Sequence, residues 1–508
     1  MIELLNPQEA VQWLRSRVSG ELRTDSRQIE QGDGFIAWPG AQTDGRQYVA
    51  QSLENGAMAC IVEKGELTKH ANYETWDEQA VACYLGLKAA TGLIAAEYYE
   101  HPSKLLDVIA ITGTNGKTSS AWWLAQALSV AKTTSSKKCG MVGTLGVGQP
   151  PLPSETSEQH SSIVMNGLTT PDPVLLQKGF RDFVKAGFKV CAIEASSIGI
   201  AENRLDGTAI KVAVFTNFTQ DHLDYHGSMD AYWQAKLKLF SWPSLQAAVI
   251  NIDDPQGREL LTAMDHQFVE LWTISIMGPA RLRAHDICYF ENGLQFNVLE
   301  GDATYRIRTS MIGHYNVSNI LGVIAAMRAL GVELSTAIDA CQLLTPVPGR
   351  MDSVSHNGQP SVVIDYAHTP DALENALKTL RYMADQRRGR LVCVFGCGGN
   401  RDALKRPLMA TIAENYADTI VVTSDNSRNE NPKTIFNQIF TGFSEQVNAT
   451  LEPDRAQAIA RAILTADAKD VVLIAGKGHE NYQEVEGKKH FFSDKEQALS
   501  ELARRELR

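Results

Sequence analysis

Residues 105–118 read Leu-Leu-Asp-Val-Ile-Ala-Ile-Thr-Gly-Thr-Asn-Gly-Lys-Thr. The apolar run through Thr112 has the pattern of a strand buried on both faces. The glycines that follow let the backbone curl so that successive N–H groups face an anion. The apolar stretch from Thr118 to Val130 supplies a helix whose positive N-terminal end adds to that site. In such a loop Lys117 is a point charge for the β- and γ-phosphates, and Thr118 offers its hydroxyl to Mg²⁺. Two residues separate Gly113 from Gly116-Lys117, where the common phosphate loop has four, so the motif is a variant.

Working outward, short β-rich runs recur between helices. Lys189–Glu194, Lys211–Asn217 and Ala247–Asn251 follow the phosphate loop, with a further short strand near Gly140–Gly143. After Thr345-Pro-Val-Pro-Gly349 the alternation restarts with Ser361–Asp365, Leu391–Phe395, Thr419–Thr423 and Asp470–Ala475, separated by helical segments near 371–385, 404–416, 432–442 and 454–467. Apolar strands alternating with helices indicate parallel sheets covered on both faces. The chain has 508 residues, which at about 150 per domain predicts roughly three domains. The expected division is 1–103, 104–347 and 348–508, with hinges near Pro102 and Pro346-Val-Pro348.

Hydrophobic residues make up 44% and charged residues 21%, an ordinary globular balance. The net charge of −11 argues against a nucleic-acid binder and against a polybasic membrane-surface protein. Glu3 and Asn6-Pro7 break the layout of a signal peptide, and no run reaches the roughly 18 apolar residues needed to span a bilayer. Eight scattered cysteines, none in a zinc or thioredoxin spacing, are expected as reduced structural thiols. A soluble cytoplasmic chain acting on small molecules is the expectation.

Ligands of doubly wound sheets sit beyond the carboxyl ends of the strands. Glu194 closes one strand, and Asn217 closes the next, leading into Thr219-Gln-Asp-His-Leu-Asp-Tyr-His-Gly227. With a phosphate loop upstream, Glu194 and His222 are candidate Mg²⁺ ligands, because Mg²⁺ recruits one or two protein groups and keeps waters. Composition alone leaves Lys236, on a helix over Tyr232–Phe240, as a solvated lysine.

The set as a whole resembles the Mur ligases, whose relatives include folylpolyglutamate synthetases. The resemblance runs from Asp25-Ser-Arg27 through GTNGKT (113–118), EASS (194–197), TNFTQDHLDYHG (216–227), GHYNVSN (313–319) and PGRM (348–351) to Phe492-Ser-Asp494. DYAHTPDAL (365–373), GCGGNRDALKRPLM (396–409), TSDNSRNENP (423–432) and AGKGHENYQ (475–483) resemble, within that family, members that extend UDP-N-acetylmuramoyl-L-alanyl-D-glutamate by one amino acid. The resemblance implies three domains: an N-terminal mixed α/β uridine-binding domain, a central P-loop-type ATPase with a parallel sheet, and a C-terminal Rossmann-like domain. It also implies a monomer that converts a substrate carboxylate to an acyl phosphate with ATP and then to an amide.

Carried over by motif, Gly113, Thr114, Asn115, Gly116, Lys117, Thr118 and Ser119 would hold the nucleotide phosphates, with Asn316 and Asn319 near the adenine and Arg350, Asp365 and His368 covering it. Lys117, Glu194, His222 and Lys236 would form the catalytic set. The resemblance reverses the bland reading of Lys236, which matches a lysine carbamylated by CO₂ that ligates a second Mg²⁺. Thr24, Ser26, Ala41, Gln42 and Thr43 match uridine contacts, and Thr169, Thr170, Ser196, Glu202 and Arg204 match muramoyl-dipeptide contacts. Two departures occur here: Ile198 where the family often has His, and Glu202 where it has Gln.

For the incoming amino acid, Arg401, Asp425, Asn426, Ser427, Arg428, Gly476 and Glu480 match the family contacts, with Ser427 replacing proline. The arginine of this motif goes with meso-diaminopimelate and is missing from enzymes that add L-lysine. A distal carboxylate wants a bidentate guanidinium, which lysine's ammonium does not need. The rivals are a plain P-loop kinase or NTPase, an L-lysine-adding sister and a folate-type glutamate ligase. A dinucleotide fingerprint at Gly396–Gly399 fails, because Arg401 stands where the third glycine is required.

Overall fold

The computed structural model describes residues 1–40, 43–65, 76, 79–132, 138–152, 162–165, 167–264, 267–290, 293–354 and 358–506. Ala41 and Gln42, expected at the uridine, lie outside them. The chain forms three α/β layers, each around its own main sheet.

The first sheet is all parallel, in the order Ile2–Leu4, Val81–Tyr84, Ala59–Glu63, Gly34–Ala37, Leu22–Arg23. The helices Pro7–Arg15 and Leu87–Tyr98 pack on it. Asn6 caps the first of these by accepting from Glu9 N, and proline follows at the first helical position, where its missing N–H costs nothing.

The second sheet has ten strands. At its centre Ile210–Phe215, Asp107–Thr112 and Val190–Glu194 are parallel neighbours, with Phe215 opposite Thr112 and Ile111 opposite Glu194. That register sets three carboxyl ends side by side: the glycine loop after Thr112, the Glu194 carboxylate, and the segment entered at Thr216. The helix Lys117–Val130 is buried almost all round, because it lies between this sheet and the helix His314–Ala329.

The sheet is not parallel throughout. Leu282–Phe290, Gly293–Glu300 and Ala303–Thr309 add an antiparallel meander at one edge, and Gly146–Gly148 adds an antiparallel strand at the other. The alternation that the meander needs is present in the sequence: Leu282 and Ala284, then Leu294, Phe296 and Val298, are buried at every second position.

The third sheet runs Asp352–Val354, Ser361–Asp365, Val471–Ala475, Leu391–Phe395, Thr419–Val422, Ala449–Leu451, and only its first strand is antiparallel. The loops after Asp365, Phe395, Val422 and Ala475 therefore open on one edge. Beneath them Arg455 and Asp494 form an ion pair at 2.7 Å with both side chains fully buried. Arg455 also donates to Ser424 O and Ala475 O, so one guanidinium ties the last two helices to two of those strand ends.

No helix among the described residues is long and apolar enough to cross a membrane. All eight cysteines are free thiols and seven are buried. Burial pushes the Cys60, Cys393 and Cys397 thiols up to about 12, so they pack as small apolar groups.

Candidate functional site

The loop between Thr112 and the helix at Lys117 turns through Gly113 at φ +143° and Gly116 at φ +87°. A side chain on Gly113 would stand 1.9 Å from Thr216 Oγ1, and one on Gly116 would stand 2.4 Å from Asn319 Oδ1, so both positions need glycine for space as well as for conformation. Thr114 Oγ1 is 3.2 Å from the Tyr232 hydroxyl, and Asn115 N donates to Asn217 Oδ1 at 2.9 Å. Lys117 Nζ folds back to donate to Gly113 O at 2.9 Å and Thr114 O at 2.8 Å.

Lys236, the expected solvated lysine on composition alone, is 1% exposed. Its Nζ donates to the same Gly113 O at 2.8 Å and lies 4.4 Å from the centre of the Tyr232 ring. Burial, reinforced by the Lys117 charge, drives its ammonium well below the ordinary lysine value. Its helix starts at Met229, capped by Ser228, and its regular part ends at Leu237.

Thr118 Oγ1 donates to Glu194 Oε2 at 2.9 Å, and Thr144 N donates to Glu194 Oε1 at 2.8 Å. Burial raises the Glu194 carboxyl, against the neighbouring Lys117 charge. His222 sits in the left-handed region at φ +53°, its Nε2 3.4 Å from Asp221 Oδ2. Burial holds this imidazole down to about 4, neutral and able to offer a lone pair.

Thr118, Glu194 and His222 share a cavity of about 140 Å³ with Lys117 and Arg350. No group of three or more His, Cys, Asp or Glu suited to a metal occurs among the described residues. One carboxylate, one hydroxyl and one neutral imidazole fit Mg²⁺ held largely by phosphate oxygens and water, and do not fit a closed protein cage.

Next to it a cavity of about 510 Å³ lies between the second and third sheets. Asn115, Ser119, Asn316 and Asn319 line it from one side, and Arg350, Asp365, His368 and Asp371 from the other. Asn319 Nδ2 donates to Asn316 Oδ1 at 3.1 Å. Arg350 stacks 4.2 Å from the Tyr366 ring centre and donates to Thr118 Oγ1 at 3.3 Å, while its Nε is buried without a partner among the described residues. An unsatisfied buried guanidinium N–H at a phosphate loop is a waiting anion donor. Asp365 is held by Met351 N at 2.6 Å and Ala367 N at 2.8 Å.

Along the seam with the first sheet, Thr170 Oγ1 donates to Glu194 O and meets Ser196 Oγ at 2.9 Å, Thr169 Oγ1 meets Thr144 Oγ1 at 3.0 Å, and Arg204 Nη1 donates to Thr170 O. Thr24 hydrogen-bonds the Asp172 carboxylate, Ser26 opens a short turn capped by Asp25, and Thr43 O accepts from Gly40 N. Glu202 pairs with Lys88 Nζ at 2.6 Å and accepts from the Tyr225 hydroxyl. Lys88, from the first sheet's helix, offsets the negative charge that Glu202 brings where the family has Gln.

The expected amine-site residues meet at the open edge of the third sheet. Arg428, at φ +51°, donates through Nη1 to Gly399 O at 2.7 Å and lies 3.8 Å from Glu484. Arg401 Nη1 is 3.5 Å from Asp224 of the second layer. Asn426 Nδ2 donates to Glu480 Oε2 at 2.8 Å. Gly476, at φ +117°, brings its backbone against Asp425, where a side chain would be 2.6 Å from Oδ2. Ser427 is buried, so serine in place of the usual proline sits in a packed loop.

Sequence reasoning did not single out Asp371, whose carboxylate accepts from Asn115 Nδ2 at 2.9 Å across the seam, or Lys477, which is fully buried among the amine-site residues. Asp371 follows the Thr369-Pro370 helix start, and that cap was the available signal.

The chain matches the Mur ligase middle domain over residues 111–327, the Mur ligase glutamate ligase domain over 349–478, and the Mur ligase family catalytic domain over 20–99. A UDP-N-acetylmuramoyl-L-alanyl-D-glutamate–2,6-diaminopimelate ligase of Acidovorax sp. is 56% identical over 98% of this chain and 97% of its own. One of Pseudomonas aeruginosa is 42% identical over 95% of each. A solved structure of a ligase of the same name aligns with TM-score 0.63 at 32% identity, covering 96% of this chain and 95% of that one. A Thermotoga maritima MurF ligase in complex with ADP aligns with TM-score 0.63 at 18% identity over 97% of this chain and 98% of its own, a likeness of fold.

Proposed function

The chain belongs to the Mur ligase family, and from that premise we propose that it joins meso-2,6-diaminopimelate to UDP-N-acetylmuramoyl-L-alanyl-D-glutamate with cleavage of ATP to ADP and phosphate, a step of peptidoglycan precursor synthesis. The observation that carries the choice of amine is Arg428, whose guanidinium reaches the Gly398-Gly399 turn beside Arg401 and puts two cations where a distal carboxylate would be read.

In this reading the glycine loop, Lys117 and Arg350 bind the ATP phosphates, and Asn316, Asn319 and His368 line the nucleoside. Thr24, Ser26 and Thr43 face the uridine, and Thr169, Thr170, Ser196 and Arg204 face the muramoyl dipeptide, with Glu202 contributing through its Lys88 pair. A carboxylate oxygen of the dipeptide's glutamate attacks the γ-phosphorus, and ADP leaves. The amine of diaminopimelate, having lost a proton, attacks the acyl-phosphate carbon, and inorganic phosphate leaves as the amide forms. A carboxylate is a poor electrophile, so phosphorylation supplies the leaving group, and the protein's share is positioning and charge neutralisation. Lys117 stays with the transferring phosphoryl group, and Arg350 turns its free Nε to it.

Glu194, His222 and Thr118 would hold Mg²⁺, which supplies neutralisation of phosphate charge when bound. Lys236 in neutral form adds CO₂ and releases a proton, becoming a carbamate that would serve a second ion; its burial favours that form. Supplying ¹³C-bicarbonate should then give a carbamate resonance in the native protein that Lys236→Arg lacks. Identical spectra would leave Lys236 an unmodified buried amine.

The domain divisions near 103 and 348, action as a monomer and a cytoplasmic location complete the proposal. An amine panel with UDP-MurNAc-dipeptide, ATP and Mg²⁺, read by product mass, tests it. Diaminopimelate should be incorporated far ahead of L-lysine or L-glutamate, and comparable L-lysine product would favour the sister enzyme. ADP release without any amine would favour a plain NTPase. Arg428→Ala removes a charged hydrogen-bond donor worth about 1.5–3 kcal/mol, so the diaminopimelate KM should rise roughly 10- to 100-fold while the ATP KM holds within about twofold.

A further inference from the structure

Lys477 is a fully buried lysine that neither the phosphate chemistry nor the family contacts use. It follows Gly476 at the end of Val471–Ala475, and its Nζ donates to Glu480 Oε2 at 3.1 Å and Asn426 Oδ1 at 3.2 Å. Asn426 closes the ring by donating Nδ2 to the same Glu480 Oε2 at 2.8 Å, and its Oδ1 also accepts from Glu484 N at 2.9 Å. The Tyr482 ring caps the ammonium 5.4 Å away. Both atoms of the Asn426 amide and one oxygen of Glu480 are thus committed, which leaves Glu480 Oε1 outside the ring.

Around this ring Lys477 pairs with Glu480 and Arg428 lies 3.8 Å from Glu484, while Arg401 reaches Asp224 of the second layer at 3.5 Å. An amino acid bearing two ammonium and two carboxylate groups offers partners of both signs to such a site, whereas one with a single carboxylate offers one fewer to its arginines. Burial alone would raise the Asp425 carboxyl, yet Arg455 and Lys477 hold it below the ordinary value, so a carboxylate persists where an ammonium must be met.

We propose that Lys477 is a positioning residue of the amine-donor site: its ammonium clamps Glu480 and Asn426 into one arrangement, so that Glu480 presents its free oxygen to an ammonium of the incoming diamino acid. This rests on the reading of residues 425–428 and 480 as the amine site. Without the lysine the Glu480 carboxylate would lose its cationic partner and its single orientation, so the loss falls on amine binding and spares the nucleotide.

The test is steady-state kinetics of full-length protein with each substrate varied. Wild type is first run on the amine panel, and whichever amine it incorporates becomes the probe; failure with diaminopimelate counts against the function reading and leaves Lys477 to be judged on the amine accepted. Lys477→Met should raise the KM for that amine at least about tenfold and leave the ATP KM within about twofold. Glu480→Gln should do likewise, and the double variant should be no worse than about the worse single, because both act on one contact. If Lys477→Met does not fold, Lys477→Gln keeps a hydrogen-bond donor toward Glu480 and Asn426 while removing the charge, and the same selective rise is expected. An amine KM within twofold of wild type in the variant that folds, equal losses for ATP and amine, or multiplying effects in the double variant would overturn the proposal.

Discussion

Lys117→Met should lower turnover by about 10³-fold, a loss of roughly 4 kcal/mol of transition-state stabilisation, with the folded protein as stable as before or more so. The two halves of this expectation have one cause. Lys117 Nζ is held by Gly113 O and Thr114 O, and burial pulls its ammonium below the ordinary lysine value, so keeping the charge there costs folding energy. Methionine fills nearly the same volume without that cost. What methionine lacks is a cation to move with the phosphoryl group from ADP to the carboxylate. Phosphate release under saturating substrates reads the first half, and the thermal midpoint reads the second. A loss below tenfold would mean that the loop amides and Arg350 carry the phosphoryl group alone.

Asp494→Ala should cost about 3–5 kcal/mol of stability, because it leaves the Arg455 guanidinium buried and unpaired. The damage should reach function, since Arg455 also holds Ser424 O and Ala475 O, the backbone leading into Asp425 and Gly476. Replacing both partners with apolar residues, as in Arg455→Met with Asp494→Leu, should recover most of the stability, because the penalty comes from the orphaned charge and the pair itself adds little. Urea unfolding of the single and double variants decides this. A double variant as unstable as the single would show that the pair's hydrogen bonds to the strand ends carry the stability.

The parallel strands were legible because each is an apolar run between helical segments, and the phosphate loop because its glycines and lysine are adjacent in sequence. The antiparallel meander over 282–309 was passed over although its signals are present, with apolar residues at every second position along Leu294–Val298 and the hairpin dipeptides Asn292-Gly293 and Gly301-Asp302, because the helix-and-strand alternation on either side set a parallel pattern. Glu194 and His222 could be nominated from strand ends, yet nothing local says that the Thr118 hydroxyl would reach Glu194; that follows from the pairing of Ile111 with Glu194. Lys236 shows the limit most clearly. Its helix has no apolar stripe wide enough to announce a buried lysine, and only the fold carries its ammonium to Gly113 O. Lys477 was hidden for the same reason, because burial of a charged residue is set by what closes over it.

The nucleotide cavity has one wall from the second layer and the other from the third, and the Asn115–Asp371 hydrogen bond bridges them. On the proposed reading a bound ATP would be mortar between two blocks of masonry as well as a reactant. In this cavity it would add a second tie between the loops that read the amine and the loops that hold the acyl group, beside the Asn115–Asp371 bond, and the departure of ADP would leave that bond to hold them. The spent nucleotide would then be part of what keeps the two halves of the reaction within reach of each other.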